Sequence, residues 1–536
     1  MKRIAAPDRN AASCLFLAAV WCFCHTGLLG MIGRQGLAYA GPAMEMTAIG
    51  FAALTLPASL VMDRMIRARY VRKKYASIRC LVRRGMLLSV LTGAVLTLLF
   101  FLLSRPLALL LGGEAHMALV IAAISPVFVL MLPMGVMHGY FRGIRMTIPA
   151  LSTVLLPAIL LAIFPIAFGA AARKVGTNVA ALLRDESYPF VYGAAGAAAG
   201  VVAALVITLI YWMFLLTATY RNRKKNLPAE QQTEPEQASS LLRSFLRETG
   251  WISASLLFLA LPVLTNYRIL HMAVDPKTRA MAGWGAYYGK TLSLVFGTAL
   301  LLFMPFTRYP QTMIRLMRKE DQSTSRSFFG MTMRLAGYSL FPFSFFYITA
   351  ARPITAVIGN AADDAGAVSL QISGILVLLS GIALLLGQLY IGLGRTKLLT
   401  TACAAAYLIQ TALCFATTRQ SSPGITVCAI PLTVFYLVLD ILLLFFLRDY
   451  LLEKNRYFRA YIMLLVSSVA ASIPIYLLSG LLTRETGYLA ASLILAILYV
   501  LIYLMISLFT GAADLRNFDR LPGGRMIIAL ADLLGL

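Results

Sequence analysis

Leu56-Pro57, followed by Arg64-Met65-Ile66-Arg67, and Met304-Pro305, followed by Thr312-Met313-Ile314-Arg315, are one short pattern written twice, 248 residues apart. A second pair agrees with it. Tyr140-Phe141-Arg142-Gly143-Ile144-Arg145 is answered by Tyr390-Ile391-Gly392-Leu393-Gly394-Arg395, 250 residues further on. In each half the first element closes the second apolar run and the second element follows the fourth. The shared order and near-constant spacing imply two same-facing bundles. In a membrane protein that is the plan of a transporter, with the substrate path between the halves.

The composition places those bundles in lipid. Of 536 residues, 60% are hydrophobic and only 13% charged, and the mean hydropathy is +0.80. A soluble globule has too little interior to hide that much apolar surface. Counting about 20 apolar residues per crossing gives 14 spans, from 11–32 and 38–62 to 460–482 and 488–510. The first follows Lys2 and Arg3 like a signal peptide, but no small-residue cleavage pattern comes after it, so it reads as a transmembrane helix. With both termini in the cytoplasm, the inner segments hold 34 Lys and Arg and the outer segments 10. That asymmetry sets the orientation. It also accounts for the net charge of +25, which therefore does not point to nucleic acid.

The fold class expected is an all-α polytopic membrane protein of 14 transmembrane helices. The polar segment 217–248, which opens with Arg221-Asn222-Arg223-Lys224-Lys225, cannot bury a core and reads as a flexible cytoplasmic linker. It divides an N-terminal lobe, 1–216, from a C-terminal lobe, 249–447. The last segment, 448–536, adds spans 13 and 14 and a cytoplasmic tail. The loop 63–84 holds nine cations and one acid, Asp63. Its simplest role is topogenic and headgroup-binding, the alternative being a staging site for an anionic lipid. The run Gly193-Ala194-Ala195-Gly196-Ala197-Ala198-Ala199-Gly200 signals close helix packing.

Ionisable groups at bilayer depth are costly and tend to face a cavity or a partner. They are few: Glu45, Arg268, Lys290, Arg334 near a boundary, and Asp440, with Arg34 just beyond span one. Arg268 and Lys290, with Arg34, are candidate cavity cations suited to phosphate, Arg through its bidentate fork and Lys as a point charge. Pairing with Glu45 or Asp440 is the structural alternative. Glu45 and Asp440 are candidates for coupling to H⁺ or Na⁺. The seven cysteines and four histidines form no metal-spaced group, and no nucleotide-binding or nucleophile motif is present. Neither a cofactor nor a resident metal is implied, and the chain does not read as an enzyme.

Four stretches, in order, resemble a known family. Gly135-Val136-Met137-His138-Gly139-Tyr140-Phe141-Arg142-Gly143-Ile144-Arg145-Met146-Thr147-Ile148-Pro149 resembles the GYFRG-to-Pro signature of polysaccharide and lipid-linked oligosaccharide flippases. Gly33-Arg34-Gln35-Gly36-Leu37-Ala38-Tyr39, Leu56-Pro57-Ala58-Ser59 and Leu389-Tyr390-Ile391-Gly392-Leu393-Gly394-Arg395 resemble three of its turns. These flippases belong to the MOP exporter superfamily, and the likeness is to the stage V sporulation protein B type. The resemblance implies two six-helix lobes in a V around a central cavity, plus two C-terminal helices. It also implies alternating access and a polyprenyl-pyrophosphate-linked saccharide as substrate, with membrane lipids around it. Arg268 takes the place of an arginine found near the end of that family's helix seven. The chain departs from the family in having no acid early in helix seven and no arginine in helix one. The rival expectations are a multidrug or cation antiporter of the same fold and a non-transporting envelope or sporulation scaffold.

Overall fold

In lipid a backbone N–H or C=O finds no partner outside its own segment, so an apolar run this long must coil into a helix. The computed structural model describes residues 9–112, 115–226, 237–273, 280–303, 306, 309–318, 322–359, 364–419, 426–451 and 456–510, and these are helical almost throughout, with no strand among them. Eleven helices are long and apolar enough to cross a membrane, or 12 if the bent pair Ser323–Thr349 and Ala351–Ile358, at 81°, is one span. The protein is an all-α, multi-pass membrane protein. The centre of the polar linker, 227–236, the Met304-Pro305 pair and the tail 511–536 lie outside the described residues.

Contacts divide the chain into two compact units. The first comprises Phe23–Gly289 with Thr411–Pro423. It holds most of α1 (Arg9–Gly50), then a π-helical turn (Phe51–Thr55), α2 (Leu56–Val71), α3 (Tyr75–Leu102), α4 (Ser104–Gly112), α5 (Met117–Ile124) and α6 (Val127–Gly143). α7 (Thr147–Leu183), α8 (Tyr188–Asn226), α9 (Ala238–Ala273) and α10 (Ala280–Ala286) complete it. α9 follows the polar linker yet packs on α2, α3 and α4. α1 is broken at Gly33, whose φ of 75° and ψ of 176° suit a residue without Cβ. The break falls between the first two expected spans.

Lipid offers no hydrophobic drive for helices to associate, so close backbone approach matters most. Gly135, Gly139 and Gly143 form a row on α6 against α2 and the turn before it. A Cβ at Gly135 would lie 2.5 Å from the Thr55 carbonyl, one at Gly139 2.6 Å from that of Ser59, and one at Gly143 2.7 Å from Ile66. Gly196 and Gly200, from the small-residue run, meet the carbonyls of Phe168 and Phe164 in the same way.

The second unit comprises Lys290–Gln410 and Gly424–Leu536 with Met1–Cys22. It opens in a second π-helical turn (Tyr287–Leu292) and holds α11 (Ser293–Phe303), α12 (Tyr309–Arg318), α13 (Gln322–Thr349), α14 (Ala351–Gly359) and α15 (Asp364–Ser373). α16 (Leu376–Leu393), most of α17 (Thr396–Thr417), α18 (Thr426–Leu451) and α19 (Arg456–Phe509) follow. α19 breaks at Gly487, where φ is 78°, between expected spans 13 and 14.

The sequence repeat becomes a repeated contact. Ile66 packs on Gly143 in the first unit, and its counterpart Ile314 packs on Gly392 in the second. The ends of α6 and α16 also match. The Met146 N–H donates to Phe141 and the Arg395 N–H to Tyr390, both at 3.1 Å, around the left-handed residues Arg145 (φ 60°) and Gly394 (φ 76°).

Candidate functional site

In the first unit the buried charge is built by one close helix crossing. Gly285 and Gly289, four residues apart, let the segment leading into the second π-helical turn lie against α1. A Cβ at Gly285 would collide with the Arg34 carbonyl, and one at Gly289 with the Leu37 side chain. That approach carries Tyr288 to Glu45, 243 residues away in sequence, and its hydroxyl donates to Glu45 Oε2 at 3.2 Å. Both residues are buried. Trp284 stacks on Tyr288 with centroids 6.3 Å apart, and the His25 ring lies 5.2 Å away. The buried Trp284 Nε1 has no acceptor among the described residues.

A carboxyl among aromatic rings, with one phenol donating to it, is poorly compensated for burial. It is suited to exchanging a proton or a small cation rather than to holding a structural charge pair. Arg34 and Arg268 are both half-buried. Arg268 follows Tyr267, a fully buried ring 5.2 Å from Trp284 and 4.5 Å from His271. Arg268 and Glu45 thus lie on helices that converge on Trp284.

In the second unit Lys290 is wholly buried, and its Nζ donates to the Thr355 carbonyl of α14 at 3.3 Å. Hydroxyls surround that contact. Thr291 and Ser369 bond at 2.9 Å, and Ser293 Oγ donates to the Lys290 carbonyl at 3.0 Å. Asp440, on α18, is 4% exposed and neither carboxyl oxygen has a hydrogen-bond partner among the described residues. The alternative that Lys290 pairs with Asp440 is therefore not what the fold adopts.

Sequence reasoning singled out the five ionisable residues but missed Tyr288, Trp284 and Thr355. The Gly285-x-x-x-Gly289 spacing around Tyr287-Tyr288 was the available signal for the first two; for a backbone carbonyl such as that of Thr355 there was none. No group of three potential metal-ligating side chains occurs among the described residues.

No protein-family model and no curated protein sequence matches the chain. Solved structures do. Lipid II flippase MurJ in its inward closed conformation aligns with a TM-score of 0.67 at 12% identity, over 93% of this chain and 98% of that one. An inward-facing multidrug resistance MATE family transporter of the MOP superfamily aligns at 0.61 and 13% identity, over 83% and 95%. A MOP superfamily transporter from Pyrococcus furiosus, described by the reversed polarity of its binding pocket, aligns at 0.54 and 14%, over 82% and 94%. The fold of this chain is that of the MOP-superfamily transporters.

Proposed function

We propose that this protein is a transporter of the bacterial cytoplasmic membrane that moves a polyprenyl-pyrophosphate-linked saccharide from the inner to the outer leaflet by alternating access. The observation that carries the reading is the extent of the MurJ likeness: 93% of this chain, against 83% for the multidrug transporter. The ordered signature segments from Gly33 to Arg395 support the same substrate class. In this reading the two broken helices and the bent pair resolve into 14 spans, and both termini are cytoplasmic. Segments 1–216 and 249–447 are the repeat units, joined by 217–248, with 448–536 appended. Arg34, Arg268 and Lys290 are the candidate substrate cations.

The test is flipping of a fluorescent polyprenyl-pyrophosphate saccharide in proteoliposomes, with wild type and Arg268→Glu compared. Transport by the wild type and loss in the variant, at equal reconstitution, is the expected result. No movement of any polyprenyl lipid would defeat the reading and favour a scaffold.

A second reading, a cation-coupled multidrug antiporter, draws support from Glu45 and Asp440. Both are buried carboxyls without a cationic hydrogen-bond partner among the described residues, as suits an ion-exchanging site. Drug efflux that responds to an imposed H⁺ or Na⁺ gradient and fails in Asp440→Asn would select it.

A further inference from the structure

One exposed face of α3 changes character along its length. From Leu87 onward it carries Leu87, Val90, Leu91, Val95, Leu98 and Leu99, all open to the surroundings and all apolar. On the turns before Leu87 the exposed residues are Arg79, Arg83 and Arg84. The apolar part of the face meets lipid tails, so the bilayer boundary is drawn between Arg84 and Leu87. Arg83 lies one turn before Leu87, about 6 Å along the axis, and Arg79 about 12 Å. The polar zone of one leaflet is roughly 5–8 Å deep. Arg83 and Arg84 therefore stand at headgroup depth, on the lipid-facing side of the helix, with Arg79 one turn beyond.

They are also uncommitted. Asp63, the one acid in 63–84, is engaged by Arg67 at 2.8 Å and faces Arg142 at 3.8 Å. Arg79, Arg83 and Arg84 have no ion-pair or hydrogen-bond partner among the described residues. Exposed Arg72 and Lys73 at the tip of the α2–α3 hairpin add to the same field, and the tip presents Val71 at 67% exposure. A topogenic role asks only for positive charge in the loop. It does not ask for arginines aligned on the lipid-facing stripe.

We propose that the start of α3, with the hairpin tip, is a binding site for anionic phospholipid headgroups. The phosphodiester sits against the Arg83 and Arg84 forks, with Arg79 adding charge one turn further out, while its acyl chains run along Leu87, Val90 and Leu91. Guanidinium groups chelate phosphate oxygens in pairs, which a bulk cationic surface does not require. The site is separate from the buried charges and stands whether the protein flips a saccharide lipid or exports a drug.

The full-length protein in nanodiscs of equal phosphatidylglycerol and phosphatidylcholine, released into native mass spectrometry, reads the site directly. The wild type is expected to retain phosphatidylglycerol preferentially. Arg79→Gln with Arg83→Gln and Arg84→Gln should cut that preference about fivefold or more. The matching triple Lys variant, which keeps the charge but not the forks, should fall between the two. Because these side chains are exposed, an unchanged melting temperature is expected for both variants and separates lipid loss from misfolding. An equal preference in the Gln variant overturns the proposal. So does full displacement of the retained lipid by millimolar inorganic phosphate, which would mark a site for a soluble phosphate instead.

Discussion

The two halves of the repeat make the same contact with different materials. In the first, α6 lies on α2 through Gly135, Gly139 and Gly143, with backbone carbonyls directly opposite. In the second, set in the register of the two helix ends, where Phe141 matches Tyr390, Gly392 alone of the three positions is kept, and the residue matching Gly139 is Gln388, which is exposed. The first half adds Asp63, bonded to Arg67; the second has Gln311 at that place. The first half is thus a backbone-to-backbone clamp, whereas at Gly392 the second half meets the end of one flexible side chain, that of Ile314. The buried carboxyls differ in parallel, since Glu45 has a phenol donor and Asp440 has no hydrogen-bond partner among the described residues.

The clamp can be broken outright. Gly139→Ala puts a methyl 2.6 Å from the Ser59 carbonyl and 2.7 Å from Met62 Cβ, so the helices must part. A loss on the order of 2–3 kcal/mol is expected, seen as a drop in melting temperature in detergent, while Gln388→Ala leaves it unchanged. Equal effects at the two positions would erase the distinction.

Lys290→Met tests the second unit next. It removes the donor to a buried carbonyl and should cost about 1–3 kcal/mol by the same assay. Near-neutral behaviour would mean that Thr355 finds another donor.

Tyr288→Phe makes Glu45 resemble Asp440 by taking away its hydroxyl donor. The expected cost is about 1–2 kcal/mol, recovered in the double variant with Glu45→Gln. Additive losses would show that the two residues do not couple.

At the matched turns, Gly394→Ala forces a side chain into a left-handed backbone and should cost about 1 kcal/mol. Arg145→Gly should gain a fraction of that, because Arg145 already bears the strain. The smallest effect belongs to Asp63→Asn. Arg67 is 48% exposed, so screening limits the loss to about 0.2–1 kcal/mol, vanishing in high salt.

Much of the fold was legible because local chemistry dictates it. Apolar length makes a span, Gly33 and Gly487 offer the one backbone that breaks α1 and α19 at a turn, and a duplicated Ile and Gly mark a duplicated contact. The candidate site was legible only as residue types. Glu45, Lys290 and Asp440 stood out because charge is scarce in such spans, yet nothing near them in sequence says what they touch.

The chain by itself determined its membrane class, its helices, its repeat and which ionisable residues fall within apolar runs, since these follow from the composition of each segment alone. Tertiary structure decided the rest: that Tyr288 reaches Glu45, that Lys290 binds a carbonyl and not Asp440, and that α9 joins the helices before the linker. Those outcomes depend on which backbones approach closely enough to touch, and in lipid that is set by packing between segments far apart in sequence.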